Sequence, residues 1–293
     1  MQKWGSILAF GVVYPILWLI SRLPFPLLYL LSDGVAALLY HIVRYRRQTV
    51  RSNLALALPH LSEADRRRIE KKYYHHMSDM FLEMIKTMHL SPTEMDRRFV
   101  FTNLELYQQL EKQGKSIAVM CAHYASYEWV ISMNNKVNFR GYAIYKRIAN
   151  PHFDALVKRI RSKFGASLIT TKETAKTIEA NTAKGQLGLY GFASDQSPKW
   201  SKADHWYTFM GVTTPIHIGA EQLAKRYDMN VIFLRVKKVK RGFYEATFET
   251  LSDNPQSEPD YAISERFMDK VAQQIYEAPE YYFWVHKRWK HRR

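Results

Sequence analysis

The chain has 293 residues, with 43 Lys plus Arg against 27 Asp plus Glu for a formal net charge of +16, and one cysteine, Cys121. That length buries a sizeable core, no internal repeat or low-complexity tract interrupts it, and a lone thiol excludes an intrachain disulfide or a cysteine-based zinc site. So large a basic excess points to a polyanionic partner; without a zinc-finger or RRM signature, and with long apolar stretches among the basic residues, nucleic acid is excluded and a membrane surface favoured.

Taken in chain order, Trp4 to Ile20 is free of charge. At ~1.5 Å per residue it would span about 26 Å, just short of the ~30 Å hydrocarbon core, so it reads as a membrane anchor. Leu23 to Val43 is a second apolar stretch, but Pro24, Pro26 and Asp33 make it a helix lying at the interface or packed on the catalytic domain. Arg22, Arg44, Arg46, Arg47 and Arg51 follow the apolar region and only Lys3 precedes it, which places the catalytic domain in the cytoplasm. A thin n-region and the lack of a small-residue cleavage site argue against a signal peptide. The expected organisation is a membrane anchor and interfacial helix over 1–47 and a catalytic domain over 48–293.

Ser62-Glu63-Ala64-Asp65 opens a long helical pattern with a capping-box signature, running to about Leu90. Tyr73, Met77, Met80, Phe81, Met84, Ile85 and Met88 recur there at helical spacing and read as a core stripe, although methionine-rich faces also adapt to lipid chains. His75 and His76 are adjacent, so they point to different sides of the helix and make a poor metal pair.

The uncharged run Ser116 to Ala122 is too short for a good helix and reads as a buried strand of a parallel sheet, with Cys121 a packed thiol inside it. His123 then falls at the strand's carboxyl end, the edge at which open α/β sheets bind ligands. Tyr124 to Asn134 reads as the start of a helix from which Glu128 turns back to the imidazole, orienting it as a base. Ser126 lies three residues from the base, but Ala125-Ser126-Tyr127 lacks the glycines of a nucleophile elbow.

Further strands are expected at Tyr142–Tyr145, Leu187–Phe192, Val231–Val236 and Phe243–Phe248, and helices at Pro151–Phe164, Lys172–Ala183, Pro215–Tyr227 and Tyr261–Tyr276. Alternation of this kind implies an α/β fold: a largely parallel mixed sheet flanked by helices. Lys146, Arg147, Lys158, Arg159 and Arg161 crowd the region after the base, a composition suited to phosphate or, more plainly, to a solvated helix face. Asp195 follows another apolar run, where it either orients a basic residue near the site or caps the turn into Pro198. The terminal Lys287 to Arg293 mixes charge with tryptophan, as in a headgroup-facing segment or a solubilising tail.

His123-x4-Glu128 resembles the His-x4-Asp/Glu signature of the lysophospholipid acyltransferase superfamily, and the rest of the chain resembles its branch of late acyltransferases of lipid A biosynthesis. The blocks that carry the resemblance are Arg51-Ser52-Asn53-Leu54 with Leu58-Pro59; Tyr145-Lys146-Arg147 with Asn150-Pro151, Asp154 and Arg161; Ser194-Asp195-Gln196; Phe209-Met210-Gly211; and Ala278-Pro279-Glu280 through Trp284, His286 and Arg288. The pattern departs from the family at Glu128, at Lys146 in place of arginine and at Arg147 in place of proline.

The resemblance implies a glycerolphosphate-acyltransferase-like α/β fold at the bacterial inner membrane. It implies transfer of a fatty acyl group from acyl carrier protein, or acyl-CoA, to a hydroxyl of an anionic glycolipid such as a lipid A precursor, with no metal or redox cofactor. His123 and Glu128 would be the catalytic pair, and Lys146, Arg147, Arg161, Asp195 and Gln196 would contact substrate. A lysophospholipid, an aminolipid or a phosphatidylinositol mannoside is the alternative acceptor, and a non-enzymatic lipid-binding scaffold the alternative class.

Overall fold

Two proline-divided apolar helices open the chain in a computed structural model that describes residues 2–293, and the side chains of residue 7 and of 9–293. Helix α1 (Gln2–Arg22) is followed by α2 (Phe25–Ala37), which runs on as a π-helical turn over Leu38–Ile42. Pro24 is the N-cap of α2 and Pro26 lies in its first turn, where a missing N–H breaks no intrahelical bond, so these two prolines mark the start of α2. Helix α3 (Arg47–Ala57) leads to the long α4 (Glu63–Lys86), capped by the Ser62 hydroxyl, which accepts the Asp65 N–H at 3.1 Å.

Helix α5 (Pro92–Arg98) precedes the short β1 (Phe99–Phe101), and α6 (Leu104–Glu111) precedes β2 (Ile117–Cys121), every residue of which is buried. A 3₁₀ segment over Tyr127–Asn135 separates β2 from β3 (Arg140–Tyr145). The alternation α7 (Pro151–Arg161), β4 (Ser167–Thr170), α8 (Thr174–Ala183) and β5 (Gly188–Ala193) follows. A hairpin of β6 (His205–Phe209) and β7 (Val212–Ile216) stands apart, and α9 (Gly219–Arg226), β8 (Asn230–Lys240), β9 (Phe243–Ser252) and α10 (Ala262–Glu277) complete the domain.

Seven strands form one sheet in the order β1-β9-β8-β2-β5-β3-β4. All adjacent pairs are parallel except β8 with β9, so the sheet is largely parallel and mixed, as the alternation of elements predicts. Because β2, β5 and β3 are parallel neighbours, their carboxyl ends meet at one edge. That edge brings His123, Asp195 and Lys146 to the same side of the molecule.

The expected helix over Pro215–Tyr227 begins only at Gly219. Pro215 instead sits in β7, opposite Trp206 in a two-stranded ribbon, a setting that tolerates a residue without an N–H. Met210 and Gly211 close that ribbon with both φ angles positive, 51° and 78°, the geometry of a tight hairpin turn.

The N-terminal helices are not detached from the domain. Tyr29, Ser32 and Asp33 of α2 bond Glu83, Asp79 and Arg241 at 2.8, 2.7 and 2.7 Å, which holds α2 against α4 and the β8–β9 turn. Gly242 in that turn has φ 75°, and a Cβ there would collide with the Tyr29 hydroxyl. The opposite side of α2 and its continuation leaves Leu27, Leu30, Leu38, Ile42 and Val43 exposed.

Among the described residues, length and composition single out 25–42 as a helix apolar enough to cross a membrane, and Ala9–Arg22 is an apolar part of α1. The expected anchor Trp4–Ile20 falls partly outside the described side chains, as do Lys3 and Trp4. Two of the arginines read as topological signals also serve the fold, since Arg47 and Arg51 ion-pair the buried Glu70 at 3.1 and 3.0 Å.

The C-terminal segment is neither a tail nor a wholly surface feature. Arg288 and Trp289 are each 1 % exposed, the Trp289 ring stacks on Phe209 at 5.7 Å, and the Arg293 N–H donates to the Thr213 carbonyl. Asn53 of α3 donates through its amide to the Trp284 and His286 carbonyls at 2.8 and 2.7 Å, tying the segment down from 231 residues away in sequence. Replacing Trp289 by Ala should therefore destabilise the fold by about 3–5 kcal/mol, as for other buried aromatic truncations; urea denaturation checks this, and a change near zero would return the segment to the surface.

Candidate active site

His123 is held at the end of β2 by a carboxylate, but the carboxylate is not the one that spacing suggests. Its ring Nδ1 lies 2.6 Å from Asp195 Oδ1, and the same oxygen accepts the His123 backbone N–H at 3.0 Å. Asp195 follows β5, the parallel neighbour of β2, so the bond is made across the sheet edge between residues 72 apart. The bond occupies Nδ1 and leaves Nε2 as the ring nitrogen free to meet a substrate, and the ring is 20 % exposed.

Glu128 does not turn back to the imidazole. Residues five apart on a helix do not share a face, and here the chain leaves β2 through a turn with Ala125 at φ 48° before the 3₁₀ segment starts at Tyr127. Glu128, 6 % exposed, is instead held by Arg161 of α7 at 2.8 and 2.5 Å, a bidentate pair. The expected contact of His123 with Glu128 is thus replaced by one with Asp195, and Glu128 pairs with Arg161 as a neighbouring unit. Tyr127 links the two: its ring lies 4.9 Å from that of His123, and burial followed by the Glu128 charge keeps its hydroxyl protonated, well above the usual tyrosine range.

The C-terminal segment braces the turn. Ala125 N–H donates to the Tyr281 carbonyl at 2.9 Å and Phe283 N–H to the His123 carbonyl at 3.1 Å, with Tyr124 bridged to Tyr282. Phe283 also brings its ring to 6.2 Å from His123 and 6.3 Å from Phe81, which is 40 % exposed on α4. Aromatic surface therefore leads from the outside to the imidazole. The stripe on α4 divides accordingly: Tyr73, Met77 and Met80 are core, while Phe81 is exposed and Met84, Ile85 and Met88 are half-buried.

Burial works against ionised Asp195, but its electrostatic and hydrogen-bonding interactions with His123 outweigh it and hold the carboxyl below the ordinary range. His217 and His286 share this neighbourhood and are both pushed down to about 4, first by burial. Cys121 is pushed up to about 12 by burial and by Asp195, so its thiol is inert. Ser126 is 1 % exposed, and its Oγ has no hydrogen-bond partner among the described residues. Lys146 and Arg147 are exposed just past β3 and Gln196 is half-buried beside Asp195. Lys158 pairs with Asp154, and Arg159 donates to Tyr14 of α1 at 2.9 Å.

An imidazole with one nitrogen fixed by a buried carboxylate and the other open, at the carboxyl edge of an α/β sheet, is the equipment of a general base for group transfer. The family model for bacterial lipid A biosynthesis acyltransferases matches residues 3–291. The chain belongs to that family and is an acyltransferase.

Among curated relatives, the lipid A biosynthesis lauroyltransferase of Escherichia coli K12 is 24 % identical over 99 % of this chain and 93 % of its own length. A lipid A biosynthesis acyltransferase of Haemophilus influenzae is 24 % identical over 97 % of this chain and 87 % of its own, and the palmitoleoyltransferase of Escherichia coli K12 is 21 % identical over 94 % and 89 %. The resemblance in the sequence blocks points to the same family.

Two half-buried histidines, held in the neutral form, carry a pH signature. Their folded values of about 4 lie below the unfolded ~6.5, so the unfolded chain binds more protons between those limits and stability falls as pH drops through that window. Replacing both His217 and His286 by Gln should flatten the dependence of unfolding free energy on pH there, by up to about 1.4 kcal/mol per pH unit for each group. Urea titrations at a series of pH values measure it.

Proposed function

We propose that the protein transfers a fatty acyl group from an acyl thioester, carried by acyl carrier protein, to a hydroxyl of a lipid A precursor, with His123 as the general base. The observation that carries this reading is the 2.6 Å bond between His123 Nδ1 and buried Asp195 within a chain of the lipid A acyltransferase family.

Nε2 takes the proton of the acceptor hydroxyl as its oxygen attacks the thioester carbonyl. The imidazolium that forms is stabilised by Asp195, which stays ionised throughout. The tetrahedral intermediate then collapses, the C–S bond breaks, and the imidazolium returns its proton to the thiolate. Glu128 acts one step removed: it fixes Arg161 at the rim, where a guanidinium suits a phosphorylated headgroup or phosphopantetheine. Lys146, Arg147 and Gln196 lie at the same edge and are proposed as substrate contacts.

The aromatic approach through Phe81 and Phe283 suits an acyl chain. The exposed apolar side of 25–42, with Val12, Ile16 and Leu19 exposed on α1, supports attachment to the bacterial inner membrane through the N-terminal region, with residues 48–293 on the cytoplasmic side. The +16 charge favours both an acidic carrier protein and anionic lipid.

Mass spectrometry of lipid A from cells with and without the gene should show one acyl increment, and an unchanged profile would sink the reading. His123→Ala should lower transfer by about 10²–10⁴-fold, the range of general acid–base catalysis. Asp195→Asn should follow it closely and chiefly in kcat, whereas Glu128→Gln should act mainly on KM; the reverse ranking would restore Glu128 as the partner of the base.

A further inference from the structure

Outside α1, α2 and its π-helical continuation, Trp200 is the most exposed large hydrophobic side chain among the described residues, at 62 %. It opens a short 3₁₀ turn (Trp200–Lys202) that precedes β6. Its ring lies 5.9 Å from that of Trp206 in β6 and 5.2 Å from that of His291, and the Arg293 guanidinium stacks 3.7 Å from the Trp206 ring centre. The cluster is fixed from two directions, since β6 pairs with β7 and the Arg293 N–H donates to the Thr213 carbonyl of β7. A tryptophan already braced by other rings loses little further freedom when a partner covers it, and tryptophan and arginine are the side chains that most often dominate protein interfaces.

The charge around this cluster is one-sided. Lys199 and Lys202 flank Trp200, Arg292 and Arg293 follow His291, all four are exposed, and Asp204 is the one exposed acid in 199–206 and 287–293. Lys199 and Lys202 make no ion pair among the described residues, so their charge is free for a partner.

Both segments also lead directly to the site. Asp195 is five residues before Trp200, so their Cα atoms lie at most about 18 Å apart. The segment that supplies His291 and Arg293 runs on from Phe283, whose N–H donates to the His123 carbonyl. A protein seated on Trp200 therefore stands beside the edge at which the imidazole opens, where a flexible prosthetic arm can reach it.

We propose that Trp200, with Lys199, Lys202, Arg292 and Arg293 around it, is the docking surface for the acidic carrier protein that delivers the acyl thioester. This rests on the reading of a carrier protein as the donor. The occupant is a folded acidic protein and not the bilayer, because a lipid surface needs a broad aliphatic face. Such a face lies on α2 and its continuation, at Leu27, Leu30 and Ile42, whereas Trp200 is the one exposed large hydrophobic among the described residues of 193–217 and 278–293. Cations around a single aromatic anchor suit steering followed by seating of an acidic partner.

The test measures transfer to a lipid A precursor in detergent from two donors with the same thioester: acyl carrier protein, and acyl-pantetheine, which has the arm without the protein. Trp200→Ala, and separately the pair Lys199→Glu with Lys202→Glu, should each raise KM for the carrier about tenfold or more and leave kcat/KM for acyl-pantetheine unaltered. The KM of the wild type for the carrier should rise with salt, and the charge-reversed pair should lose most of that dependence. An equal fall with both donors would overturn the proposal, as would variants that lose binding to anionic vesicles yet use the carrier normally. If the wild type takes acyl groups from acyl-pantetheine and none from the carrier, the donor reading fails and the surface with it. If the wild type and the variants use the carrier equally well, the surface alone is refuted.

Discussion

The site depends on one short hydrogen bond, from the imidazole at the end of β2 to the carboxylate at the end of β5. It exists because the two strands are parallel neighbours, so both chains stop at the same edge and a residue from each can meet there. Everything around that bond serves to keep it in place. The C-terminal segment hydrogen-bonds the backbone on both sides of His123, Asn53 holds that segment, and Trp289 is clamped between Phe209 and Trp284. His123 is therefore positioned by residues from both ends of the chain.

Two buried ionic systems lie side by side at this edge and are organised differently. Glu128 and Arg161 satisfy each other directly through a two-pronged contact, which suits a unit that presents a fixed cation to a ligand. His123 and Asp195 form the other, in which a ring nitrogen and a backbone N–H share one carboxylate oxygen.

The N-terminal helices combine attachment and exposure. One side of α2 is locked by Tyr29, Ser32 and Asp33 onto α4 and the β8–β9 turn, and the other side is apolar and open. Helix α1 reaches α7 through Phe10 against Phe153 and through Tyr14 against Arg159, and α7 carries Arg161. A structural path thus runs from the apolar surface to the rim of the site, consistent with an acceptor that arrives from a lipid phase.

Much of this was legible in the sequence because the signals are local. The apolar run before His123, the strand–helix alternation and the Ser62 cap each depend on neighbouring residues, and each appears where the pattern predicts it. The histidine and its location at a strand's carboxyl end were likewise readable. What it bonds to was not: Asp195 is 72 residues away, and its nearness follows from β5 pairing with β2, a non-local fact that periodicity does not carry. Spacing favoured Glu128 only because it is close along the chain, whereas the turn at Ala125 and the pull of Arg161 direct it elsewhere. For the same reason the basic terminal residues read as surface, although Arg288 is among the most buried charges in the protein. Sequence alone determined β2, β3, β5, β8 and β9, helices α4, α7, α8 and α10, and the kind of chemistry; only tertiary packing decided which charges share a low-dielectric pocket, because that depends on which distant segments the sheet brings together.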